Sequence, residues 1–94
     1  MEAVRVFLYI FVESRELDHV SSELSILPQV VDLYEVTGES DLVALVKIDS
    51  LSAFRNVLVH KILKIRGVRS TSSAIILHAH KEPRSRVEVN SHYL

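Results

Sequence analysis

The chain has no cysteine, and only two glycines and two prolines in 94 residues. Without cysteine there is no disulfide framework, no thiolate nucleophile and no cysteine zinc site. A cytoplasmic setting fits that composition. No Gly-x-Ser-x-Gly elbow and no phosphate-binding loop occur. Carboxylates and histidines are present, but no pattern arranges them as acid and base, so the reading is a non-enzyme. No apolar run approaches the roughly 20 residues that a membrane span requires. The run over 3–12 is interrupted by Arg5, followed by Glu13 and Arg15, and has no small-residue cleavage site. Charge of neither sign dominates: 11 basic and 12 acidic residues leave −1. A dedicated nucleic-acid surface would carry clustered positive charge, so direct DNA binding is not expected.

What is present is period-two and period-3.6 apolar patterning in one domain's length. In the first strand Val4, Val6, Leu8, Ile10 and Val12 share one face, while Arg5, Phe7, Tyr9 and Phe11 share the other. A helix follows, with Ser14 as its cap and Leu17, Val20, Leu24 and Leu27 as its buried stripe, and Pro28 stops it. Strands are predicted over about 29–36 and 41–48, joined by a turn short enough to make them antiparallel neighbours. Asp49 or Ser50 caps a second helix with the stripe Leu51, Phe54, Leu58, Ile62 and Ile65, and Gly67 ends it. A fourth strand is predicted over about 68–79. Pro83 ends it, and 83–94 forms a polar tail in which Val87 and Val89 alternate as a candidate edge strand.

The order strand, helix, strand, strand, helix, strand, with right-handed crossovers, specifies an α+β fold of ferredoxin-like βαββαβ type. Its four-stranded antiparallel sheet carries both helices on one face. The other face should be polar in a monomer, yet it carries Phe7, Tyr9 and Phe11. Leaving three aromatics in water forgoes on the order of 5 kcal/mol, at about 1.5–3 per side chain. A homodimer with those three residues at the interface is the simplest remedy. The alternative is a C-terminal tail folded over the face.

Three motifs bear on function. The turn Thr37-Gly38-Glu39-Ser40-Asp41 has the composition of an ordinary hairpin turn. It also offers backbone amides for a carboxylate and acids for an ammonium, the two groups of an amino acid. Ser70-Thr71-Ser72-Ser73 is either a β-tolerant polar edge or a hydroxyl lining, with Thr71 and Ser73 on one side. His78 and His80 are spaced to chelate a metal on a strand, but no third ligand matches. No metal or cofactor is implied. His19 and His60 read as surface or boundary residues.

Together these features resemble the C-terminal effector-binding domain of the leucine- and asparagine-responsive regulators, the Lrp/AsnC family, also called the RAM domain. The carriers are Leu27-Pro28-Gln29-Val30, the Val36-Thr37-Gly38-Glu39-Ser40-Asp41 turn, the strand from Val43 to Asp49, Phe54, and the stretch from Gly67 through Thr71 and Ser73 to Leu77. The resemblance places this domain over 1–82. It implies a dimeric α+β sandwich or barrel, often assembled further into a ring of dimers. It further implies an amino-acid effector at Gly38, Glu39, Ser40 and Asp41, with Thr71 and Ser73 near the pocket. In that picture amides near Gly38 receive the carboxylate, and Asp41 holds the ammonium with Glu39 able to share.

Full regulators of the family carry a preceding helix-turn-helix domain, whereas this chain starts at the first strand. It therefore resembles a stand-alone module for effector binding and oligomerisation, regulating transcription or amino-acid metabolism, with hetero-assembly onto full-length regulators as one route. Ser70 stands where many members have a basic residue. A small dimeric α+β barrel enzyme would want polar or basic groups on the inner sheet face, of which strands one and three offer almost none. An ACT domain usually has a glycine where this chain has Val12-Glu13-Ser14-Arg15. A purely structural oligomeriser is the remaining alternative.

Overall fold

The computed structural model describes residues 3–82. The first strand, β1 (Val4–Val12), leads through a 3-10 turn (Ser14–Glu16) into α1 (Leu17–Ser25). β2 (Val30–Glu35) and β3 (Leu42–Ile48) form the central hairpin. α2 (Leu51–Val57) continues into a π turn (Leu58–Ile62), and β4 (Val68–Ile75) closes the sheet. The strand order is β2-β3-β1-β4, antiparallel throughout, which is the expected α+β architecture.

Alternation in β1 and β3 builds the core. Val6, Leu8 and Ile10 are fully buried opposite Val46, Ala44 and Leu42, under Val20 and Leu24 of α1 and Phe54, Val57 and Ile62 of α2 and its π turn. The other face remains uncovered among the described residues. Phe7, Tyr9 and Phe11 lie there with Leu45 and Val43, the cross-strand partners of Phe7 and Tyr9, and with Tyr34, which pairs with Val43. Phe7 is 41% and Tyr34 56% exposed.

Several local expectations are corrected. Ser14 does not cap α1: the helix is entered through the 3-10 turn, and no side chain caps either segment. At α2 the cap is Ser50, whose hydroxyl accepts from the Ala53 amide at 3.0 Å. Leu51, in the first helical position, points outward and is 52% exposed; Val57 takes the buried place instead. The wider π turn then brings Ile62 back onto the core. β4 ends at Ile75 rather than near 79: its last strand pair is Val6 with Ile75, and one further bond, Ile76 N–H to Arg5 O at 2.9 Å, completes the pairing. His78 and His80 therefore lie beyond the strand, with rings edge to face at 4.8 Å. The proposed edge strand at Val87 and Val89 lies outside the described residues.

Gly67 ties the second helical segment to the first. Its φ is +102°, and a Cβ there would run into Glu16 and Val20. The Glu13 amide donates to its carbonyl at 2.9 Å. No helix among the described residues is long and apolar enough to cross a membrane.

Candidate functional site

The hairpin between β2 and β3 is held by a few backbone bonds. The Val36 amide donates to Asp41 O at 3.0 Å, and the Asp41 amide donates to Ile10 O at 3.0 Å. Between them, the amides of Thr37, Gly38, Glu39 and Ser40 have no hydrogen-bond partner among the described residues. Gly38 has φ +123°, a conformation that side chains with a Cβ rarely adopt. Nothing lies within 4 Å of where its Cβ would stand. The glycine is thus required by backbone shape alone, and the space above it is open.

Next to this hairpin, on the uncovered sheet face, is an open recess of about 350 Å³ lined by Tyr9, Phe11, Glu39, Ser40 and Ser72. Ser40 is the one buried polar residue among those described. Glu39 is exposed, and it is the sole formal charge in the lining. The recess therefore combines two aromatic side chains, two serine hydroxyls and one carboxylate, beside a hairpin with free amides. Amides suit an anion and the carboxylate suits a cation, so the arrangement is complementary to a small zwitterion.

The structure gathers some of the anticipated residues and separates others. Gly38, Glu39, Ser40 and Asp41 share the hairpin. The Asp41 carboxylate, however, is engaged: its Oδ2 accepts the Val12 amide at 2.7 Å. Thr71 and Ser73 pair with Ile10 and Leu8, which places them on the helix-covered face, away from the recess. Ser70 and Ser72 pair with Phe11 and Tyr9 on the open face, and Ser72 is the hydroxyl that lines it. Sequence reasoning separated the two pairs correctly by parity but had no register to tell which pair faced outward. Tyr9 and Phe11, read only as dimer contacts, also form the recess walls.

A larger recess, about 490 Å³, lies at the opposite end of β1 among Arg5, Leu51, Ile75, Leu77, His78 and Glu82. Its two formal charges neutralise each other, since Arg5 Nη1 meets both oxygens of Glu82 at 2.9 and 3.1 Å. It offers mixed polar and apolar surface with no free charge to orient a ligand, so size alone does not make it the better site. Among the described residues no three potential metal ligands cluster, and His78 and His80 stand as a pair.

Known proteins resemble the chain in sequence and fold. A family model described as the Lrp/AsnC ligand binding domain matches residues 5–86. An HTH-type transcriptional regulator of Pyrococcus furiosus is 32% identical over 79 residues, covering 84% of this chain and 52% of that protein. Among solved structures, a Thermus thermophilus protein superposes with a TM-score of 0.79 at 29% identity, covering 84% of this chain and 99% of that one. A feast or famine regulatory protein of M. tuberculosis, complexed with L-methionine, gives a TM-score of 0.75 at 28% identity, covering 89% of this chain and 56% of that one. The chain spans about half the length of the curated relatives it matches.

Proposed function

The chain belongs to the Lrp/AsnC ligand-binding domain family, and from that membership we propose that it is an amino-acid-sensing module of transcription regulation. The effector sits at the 36–41 hairpin. Its carboxylate takes the free amides of Thr37 to Ser40, its ammonium faces Glu39, and its side chain lies against Tyr9 and Phe11 beside the Ser40 and Ser72 hydroxyls. One observation carries this reading: four unpartnered amides and an exposed carboxylate meet on one hairpin beside an aromatic recess. The M. tuberculosis neighbour with bound L-methionine supports the ligand class.

The module works as a homodimer, its uncovered sheet face packed on that of a second copy through Phe7, Tyr9 and Phe11. The same face would seat a full-length regulator of the family, and contact with DNA is left to such partners. Assembly of dimers into rings, as the family resemblance implies, belongs to the same reading.

A thermal-shift screen against the twenty amino acids tests it. A ligand at 100 times its dissociation constant adds about 2.7 kcal/mol, and each kcal/mol moves the midpoint of a domain this size by about 4–8 °C. A flat response to all twenty at millimolar concentration would overturn the amino-acid reading.

A further inference from the structure

The end of β3 meets the entry to β2 and the flank of α2. The Lys47 amide donates to Gln29 O at 2.9 Å, which ties the segment before β2 to β3. Just beyond, the Ser50 hydroxyl caps α2 and fixes the start of the helix beside that junction. These elements enclose an open recess of about 440 Å³ whose polar lining is Gln29, Lys47, Asp49, Asn56 and Lys61. Its size is that of a small-molecule site. It shares no lining residue with the recess beside the 36–41 hairpin.

The polar groups here are unspent. Lys47, Lys61 and Asp49 are exposed, and none makes an ion pair among the described residues. Lys47 stands opposite Arg5 in the register of β3 on β1, and like charges placed so are unfavourable without an anion nearby. Arg5 has one in Glu82, whereas Lys47 has none among the described residues. Gln29 adds a second unmet demand. Its Oε1 is the one buried side-chain polar atom without a hydrogen-bond partner among the described residues. A buried acceptor left in that state carries a desolvation cost that a donor would recover.

We infer that this recess binds a small hydroxylated anion, of the chemistry shared by sugar phosphates and sugar acids. Lys47 and Lys61 take the anionic group, the Asn56 side-chain amide donates to it, and ligand hydroxyls donate to Asp49 and to Gln29 Oε1. Both halves of such a ligand are needed. An anion without hydroxyls would meet Asp49 as repulsion and leave Gln29 unpaired. A neutral sugar would leave both lysines unanswered. Two lysines against one aspartate give the lining a charge of +1, which favours a net anion over a neutral zwitterion. The site is independent of the amino-acid reading of the hairpin and stands or falls separately from it.

The test is thermal shift and titration calorimetry of the full chain with ribose phosphate, ribonate and ribose, in about 50 mM salt to limit screening. At about 10 mM, ribose phosphate or ribonate should raise the melting midpoint by about 3 °C or more, and ribose should leave it unchanged. The stronger of the two anions tells a phosphate site from a carboxylate site. Lys47→Gln and Lys61→Gln should each weaken binding about tenfold or more, while Lys61→Arg, which keeps the charge, should retain it. Both lysines are exposed, so the variants should melt close to the parent without ligand. Gln29→Met keeps the size of the side chain and removes its acceptor. It should weaken ribose phosphate severalfold and leave inorganic phosphate unaffected. No response to either anion, an equal response to ribose or to inorganic phosphate, or lysine variants that bind as the parent does would overturn the proposal.

Discussion

The Asp41 carboxylate holds the end of β1: its Oδ2 accepts the Val12 amide at 2.7 Å, while its own amide bonds to Ile10 O. β1 needs this support at that point. Its pairing with β3 ends at Ile10, and its pairing with β4 shifts register between Phe11 and Val12. The irregularity leaves the Val12 amide without a strand acceptor, and Asp41 supplies one. The consequence for the site is direct. The acid first assigned to an effector ammonium has a backbone partner, and Glu39 is left as the free carboxylate beside the recess.

Asp41→Ala should therefore destabilise the protein in the absence of any ligand. Removing a charged acceptor from a part-buried amide costs about 1–3 kcal/mol. Asp41→Asn retains an acceptor oxygen and should cost less than the alanine. Urea denaturation of the three proteins reads the difference. Coincident curves for the parent and Asp41→Ala would mean that the bond contributes nothing.

The two glycines should respond unequally to alanine. At Gly38 only the backbone conformation resists, since the space around it is empty; the cost is about 1–3 kcal/mol of local strain. At Gly67 the same strain is joined by collision with Glu16 and Val20. Overpacking adds a further ~1–3 kcal/mol. Gly67→Ala should thus have the lower melting temperature of the pair, and a reversed order in calorimetry would contradict the packing described between α1 and the end of α2.

The fold was legible because period-two and period-3.6 patterns are local and strong here. Val6, Leu8 and Ile10 on β1, and Val20 and Leu24 on α1, read as core from spacing alone. What escaped depended on distant pairing. That Ser72 rather than Thr71 or Ser73 reaches the recess follows from the register of β4 on β1, which parity within β4 cannot supply. The Asp41 to Val12 bond spans 29 positions and answers a bulge that no local pattern announces. The outward Leu51 and buried Val57 depend on how α2 is rotated against the sheet, which spacing within the helix leaves open.

Phe7 tests the sheet-face dimer. It is 41% exposed and lies on the face opposite the core, so Phe7→Asp should leave the fold intact. Placing a charge in an apolar interface without a partner costs several kcal/mol, enough to shift a micromolar dimer to monomer. Light scattering should report half the parent mass at the same concentration in high salt, or aggregation if the exposed face finds other partners. A parent chain that is itself a folded, soluble monomer under those conditions would remove the basis for the dimer.

Glu39 tests the ligand site with little risk to folding. The side chain is exposed and makes no hydrogen bond or ion pair among the described residues. Glu39→Gln keeps its size and removes its charge, so the melting temperature without ligand should stay within about 0.5 kcal/mol equivalent of the parent, the usual range for surface changes. With the amino acid identified by thermal shift, the variant should bind about 1.5–3 kcal/mol more weakly, the scale of a hydrogen bond to a charged group. That is roughly a 10- to 150-fold rise in Kd. Ser72→Ala, which removes one neutral hydroxyl from the same recess, should cost about 0.5–1.5 kcal/mol. Titration calorimetry on both proteins separates the ammonium contact from the side-chain contact. If Glu39→Gln and Ser72→Ala bind the confirmed ligand as the parent does, the effector lies elsewhere, and the 36–41 hairpin is a turn whose free amides serve only water.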